Sequence, residues 1–257
     1  MGRSAVVYPP GWRGAARYRI ASIAMIHDDQ YARELDRAYR FAHAAFDGDL
    51  RSMKTLAVQL SEAIARKKFA KAAKAAVRTF VDFIDPRHPG AAVYAAAQEN
   101  RLEAMRLLHE LRADLDKPNT VDGASPAYIA ASKGNTAMVH LLHDLGADVH
   151  RVAKRGDRPI HASAHTGQEK TVLLLLSLRA IVDQQDNNDA KTPLLCAVGG
   201  GSLSTTKLLL TLRASTNHCD SAGLSALDVA TRYSGSREIV DLVRQHSRAV
   251  VRRWDRS

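Results

Sequence analysis

One positional pattern recurs every 33 or 34 residues through the middle of this chain, and a chain written that way is constrained to fold as a stack of similar units. Tyr94, Tyr128, His161 and Leu195 hold one repeated position at spacings of 34, 33 and 34. Leu107, Leu141, Leu174 and Leu208 hold another, each 13 residues further on. Pro126, Pro159 and Pro193 mark a third. Four segments, opening at Gly90, Ala124, Asp157 and Lys191, align throughout. A fifth opens at Gly223, with one extra residue before Gly235 that displaces its second half.

The segment from Ala124 shows what one unit does. Pro126 suits the first turn of a helix, where a missing amide hydrogen costs nothing, and Ser125 before it is a ready cap. The helix it opens is short, Ala130 and Ala131 let neighbours approach closely, and Gly134 permits a sharp reversal. A second helix follows with Met138, Val139, Leu141, Leu142 and Leu145 at helical spacing, and Gly146 ends it. Two helices this short cannot bury both faces alone, so successive units must stack into one continuous core.

Ser125, Pro126, Ala127 and Tyr128, the pair Ala130 and Ala131, Gly134, the pair Leu141 and Leu142, and Gly146, Ala147 and Asp148 together resemble the signature of the ankyrin-repeat family. The resemblance runs from about Ala91 to Gln245. It implies an all-α ankyrin-repeat solenoid that binds a partner through its concave face and inter-repeat hairpins. Three departures carry expectations. His161 alone keeps the histidine of the signature, so the hydrogen-bond network expected from that imidazole should be rebuilt where Tyr94 and Tyr128 stand. Arg112, Arg179 and Arg213 replace the usual glycine after the second helix, which predicts strain at that bend or a long exposed side chain beside it. Ala92 and Ala226 stand where other units have proline, as suits terminal units.

Upstream, the sequence predicts an additional helical N-terminal region. Residues 1–24 read as a basic leader or flexible arm, with Arg3, Arg13, Arg17 and Arg19 and no acid before Asp28. Met25 is an alternative start. Residues 25–89 read as a helical cap, in which Tyr31–Phe46 and the stretch from Ala45, with Gly48, Leu50, Met53 and Leu56 in suitable places, resemble a degenerate unit. Within the helix expected from Ser61, Lys67, Lys71, Lys74 and Arg78 fall in one stripe opposite Phe69, Ala73, Ala76 and Phe80. That stripe is a candidate anion-binding face for RNA phosphate or an acidic protein surface, and its plain alternative is a solvated helix face. Residues 90–246 form the repeat domain and 247–257 a basic tail. Residues 1–89 carry 16 basic and 9 acidic side chains whereas 90–246 carry 17 of each, so the formal charge of +10 belongs to the ends. Near-neutral repeats favour protein over nucleic acid as their partner.

No arrangement of residues calls for catalysis. The run Gly199, Gly200, Gly201 and Ser202 lacks the Lys-Ser/Thr ending of a phosphate loop and follows a helix, so it reads as a loosened inter-helix turn. His140 and His143 have no third ligand at a recognisable spacing. Asp114, Asp148 and Asp183 follow the repeat approximately, which predicts turn hydrogen bonds. With no nucleophile, base and oxyanion donors assembled, the expectation is no enzyme, no cofactor and no metal. Cys196 and Cys219 are too few for a disulfide framework and point to a reducing, intracellular compartment, cytoplasmic, with mitochondrial import as the alternative that the leader raises. No apolar run approaches the roughly 20 residues of a membrane span, so no membrane insertion is expected.

The candidate partner-binding residues are a positive spot of Lys133, Arg151, Lys154, Arg155 and Arg158, together with Tyr233. The leading expectation is a non-enzymatic scaffold that presents this surface to another protein within a larger assembly. The alternative is a ribonucleoprotein component whose basic N-terminal helix and tail contact RNA.

Overall fold

A capping hydroxyl followed by proline starts two of the five inner helices. Ser125 Oγ accepts from the Tyr128 N–H at 3.1 Å, and Thr192 Oγ1 from the Leu195 N–H at 3.3 Å. Each satisfies a first-turn donor that the helix itself cannot. The computed structural model describes residues 40–41, 43–45, 47–66, 82 and 90–254, with side chains described outside 60–66 and 248–254. Among these the architecture is all-α. Helix α1 (Leu50–Arg66) precedes five helix pairs. They are α2 (Ala92–Gln98) with α3 (Leu102–Glu110), α4 (Pro126–Lys133) with α5 (Thr136–Asp144), and α6 (Pro159–His165) with α7 (Glu169–Ser177). Then follow α8 (Pro193–Gly199) with α9 (Leu203–Thr211), and α10 (Ala226–Val229) with α11 (Arg237–Trp254).

The two helices of each pair are joined by one turn, repeated with little change. Its left-handed residue is Asn100, Gly134, Gly167, Gly201 and Gly235 in successive units, at φ 54°, 75°, 79°, 70° and 61°. The turn closes with a bond from Asn135 N–H to the Ala130 carbonyl at 2.9 Å and from Thr136 N–H to the Gly134 carbonyl at 2.8 Å. The same two bonds occur far upstream, from Asp49 N–H to Ala44 and from Leu50 N–H to Gly48, with Gly48 at φ 74°. Met53 is buried there, and Leu50 and Leu56 pack against the shared core. The Gly48 turn and α1 therefore repeat the local geometry of a unit, while most of Tyr31–Phe46 lies outside the described residues.

In the fifth unit the extra residue lengthens the span from helix start to left-handed glycine, and the chain absorbs it as a π-helical turn over Ala230–Ser234. Widening one turn to i→i+5 bonding takes up a residue without moving Gly235 from its place in the stack.

Inner helices pack through alanine, with Ala96, Ala97, Ala130, Ala131, Ala164 and Ala197 all buried, so their backbones approach closely. Outer helices bury larger groups, among them Met105, Leu108, Met138, Leu142, Leu175 and Leu209. Phe41, Ala45 and Met53 join the same buried cluster as the first three pairs. At about 25 cal/mol per Å² of apolar surface, this stacking is the main stabilising term.

Arg112, Arg179 and Arg213 sit at φ 63°, 75° and 65°, the place that Gly146 takes in the second unit at φ 86°. All three arginines are exposed. Strain and exposure thus occur together. The bend survives because Ala113, Ala180 and Ala214 N–H each bond back to an outer-helix carbonyl, on Leu108, Leu175 and Leu209, at 2.9–3.0 Å.

The glycine run is tighter than the sequence suggests. A Cβ on Gly200 would stand 2.0 Å from the His165 carbonyl oxygen, and Gly201 is left-handed. Two of the three glycines are required by packing or backbone, so the turn is an inter-helix turn but not a loosened one.

Candidate protein interface

Between units the chain forms hairpins that bond to one another in register. Lys154 N–H donates to the Asp122 carbonyl at 2.9 Å, Asn187 N–H to Gly156 at 3.0 Å, and Ser221 N–H to Asp189 at 2.7 Å. The main-chain links make a continuous row of tips and hold their side chains at fixed spacing.

Under that row, the position shared by Tyr94, Tyr128 and His161 reaches from each inner helix to the next hairpin. His161 is buried, accepts at Nδ1 from the Arg158 N–H at 3.2 Å, and donates from Nε2 to the Gln184 carbonyl at 2.7 Å. Those partners require the neutral Nε2–H tautomer, and burial pushes the pKa of the imidazole down in agreement. Tyr128 donates instead to the Asp157 carboxylate, and Tyr94 bonds the buried Asn119. Burial above all, then Asp157, raises the phenol pKa of Tyr128 well above its ordinary value. The network is rebuilt with different partners, and Leu195 replaces it with apolar packing.

The aspartates divide into two series. Asp114 and Asp148 close their own turns, accepting from Asp116 N–H and His150 N–H at 3.1 and 2.9 Å. Asp82, Asp116 and Asp183 lie two residues further along the repeat and accept from the next unit, at Asp114, Asp148 and Ser215 N–H. His150 occupies this second position with polarity reversed, donating from Nε2 to the Leu178 carbonyl at 2.8 Å. This inter-unit series was not separable from sequence, because a two-residue offset is invisible without knowing which amide each carboxylate meets.

The cations of the positive spot are placed unequally. Lys133 is exposed at the far end of α4 and pairs with Glu99 at 3.6 Å. Lys154 lies over Gly123 and donates from Nζ to the Thr120 carbonyl at 2.9 Å. Arg158 is half-buried, donates from Nη1 to the His150 carbonyl at 2.9 Å, and keeps a buried Nε without a partner. Arg151 and Arg155 are exposed, and among the described residues their side chains form no hydrogen bond or ion pair. Arg151, Lys154, Arg155 and Arg158 thus share one hairpin, whereas Lys133 stands apart from them at the C-terminal end of α4. Tyr233 is 64% exposed, in the π turn of the last unit. Val121, at the hairpin tip beside Lys154, is 73% exposed and had no signal in the sequence beyond its place in a loop. Lys67, Lys71, Lys74 and Arg78 lie outside the described residues, as do residues 1–24.

Among the described residues no three His, Cys, Asp or Glu side chains stand together as a metal site, and no helix is long and apolar enough to cross a membrane. Cys196 is free, and burial pushes its thiol up to about 12, so it stays protonated and inert. Exposed Cys219 is also free.

Residues 92–186 match the family model described as ankyrin repeats in three copies. No curated protein matches the chain. The helix pairs, bonded hairpins and inter-helix turns agree with that match, and residues 92–186 are an ankyrin-repeat region.

Proposed function

We propose that this chain is a non-enzymatic scaffold that holds a protein partner, within a larger assembly, along its hairpin tips and concave face. Ankyrin repeats are protein-interaction modules, and the observation that carries the finer reading is the hairpin between the second and third units. There the side chains of Arg151 and Arg155 are exposed and form no hydrogen bond or ion pair among the described residues, beside the exposed Val121, on a backbone fixed by the Lys154-to-Asp122 bond. Fixed tips spend little conformational entropy on binding. Lys154 and Arg158 brace the hairpin, and Tyr233 marks the far end of the surface.

The test is affinity purification of the intact protein and of an Arg151→Glu, Arg155→Glu variant, each with and without nuclease, followed by mass spectrometry. Stoichiometric, nuclease-resistant partners that are lost from the variant are the expected result. Partners retained by the variant overturn the role of the hairpin, and a complex that collapses with nuclease replaces the scaffold by the ribonucleoprotein reading.

A further inference from the structure

We infer that the repeat array is built in two cooperative blocks, and that the last two units, α8 to α11, open together while the preceding units stay folded. The inference is independent of what the hairpins bind. The apolar core divides at this place. Among the described residues, one buried cluster runs from Phe41 to Leu175 and takes no member from further along, and a second runs from Ala164 to Val243. Of the second, only Ala164 and Val172 come from upstream of Leu194, so the last two units bury themselves chiefly against each other. Half-buried Leu176 packs against both clusters.

The first unit beyond that division is also the one that buries unpaired hydroxyls. At three core positions the second unit buries Met138, Val139 and Val149, where the fourth buries Thr205, Thr206 and Thr216. None of these three hydroxyls has a partner among the described residues, although Thr171, one unit before Thr205 in the repeat, shares its bond with Thr136. A hydroxyl taken from water without a new bond lowers stability, where an apolar side chain of the same shape would raise it.

Bonds across the boundary, from Ser215 N–H to the Asp183 carboxylate at 2.9 Å and from Ser221 N–H to the Asp189 carbonyl at 2.7 Å, join hairpins and add no apolar burial. Stacked units are held by their neighbours, and about three are needed for a stable stack. The last two therefore cannot stand alone, whereas the first three pairs with α1 have the neighbours they need, and this sets the order in which the blocks open. Opening uncovers Ala164 and Val172 on the third unit and leaves the Arg151 hairpin folded.

Native-state hydrogen exchange of the full-length protein, followed by mass spectrometry across a series of low urea concentrations, reads the two blocks separately. Amides of α8 to α11 are expected to exchange through one opening with a smaller urea dependence than amides of α2 to α7, which wait for global unfolding. Val139 and Val198 are both fully buried, one in each block. Val139→Ala should speed exchange of α2 to α7 by about tenfold or more and leave α8 to α11 unchanged, whereas Val198→Ala should speed both. Thr206→Val should slow both. One common opening in wild type, or acceleration of α8 to α11 by Val139→Ala, overturns the two blocks. Acceleration of α8 to α11 alone by Val198→Ala overturns the order of opening, and faster exchange in Thr206→Val overturns the part given to the unpaired hydroxyls.

Discussion

His161 donates to the carbonyl of Gln184, 23 residues away in the next hairpin, at 2.7 Å, while Tyr128 at the same place one unit earlier donates to Asp157. One register thus carries two chemistries, of which only the imidazole titrates near neutrality. Burial holds the pKa of His161 below its ordinary value of 6.5, so the unfolded chain binds more protons than the folded one as pH falls. The contribution is fully present above about pH 6.5 and is lost on acidification, by up to about 1.4 kcal/mol per pH unit below that. Urea unfolding at about pH 7.5 and 5.5 should show a larger loss in wild type than in His161→Gln. Equal losses would place the acid sensitivity elsewhere.

Adjacent glycines should respond with opposite signs. Gly200→Ala forces a methyl against the His165 carbonyl oxygen, whereas Gly199→Ala adds a methyl at an ordinary 3.7 Å from Val229 Cγ1. The first is expected to cost about 1–3 kcal/mol and the second to gain up to about 1 kcal/mol. Thermal midpoints of the two variants decide it, and a destabilised Gly199→Ala would mean that the fold itself needs that glycine.

At the bend after the outer helix, Arg179→Gly should stabilise and Gly146→Ala destabilise. A non-glycine residue in the left-handed region costs about 1–2 kcal/mol, partly offset by the greater unfolded-state freedom of glycine, leaving a net change of about 1 kcal/mol. Gly146 has nothing within 4 Å of its Cβ position, so its response reports backbone strain alone. Chemical denaturation midpoints that move together in one direction would refute the strain account.

Two buried threonines invite the same substitution with different outcomes. Thr206 Oγ1 is buried without a partner, while Thr171 Oγ1 shares a bond of 2.8 Å with Thr136 Oγ1. Thr206→Val removes an unpaired hydroxyl and is expected to stabilise by about 1 kcal/mol; Thr171→Val breaks a made bond and is expected to cost about as much. Calorimetric unfolding of both variants distinguishes the pair.

Much of the fold was legible because its signals are local. Ser125 with Pro126, the leucines of the outer helices and Gly134 each act within a few residues of themselves, so spacing alone revealed helix pairs and their stacking. The surface was less legible. Lys133 and Lys154 looked as available as Arg155, yet their partners, Glu99 and the Thr120 carbonyl, lie 34 residues away in the neighbouring unit. Residue type could not foretell that Arg158 would be half-buried against its own hairpin, nor that Asp183 belongs with Asp116 and not with Asp148.

By itself, the sequence determined that this chain repeats, where each unit starts, and that its apolar faces must meet those of neighbours, because periodicity and capping act through the residues nearest in the chain. Tertiary structure decided that the extra residue before Gly235 becomes a π turn, that Gly200 must be bare, and which cations of the central hairpin remain unpaired. Those outcomes depend on atoms one whole unit away, which only stacking brings within bonding distance.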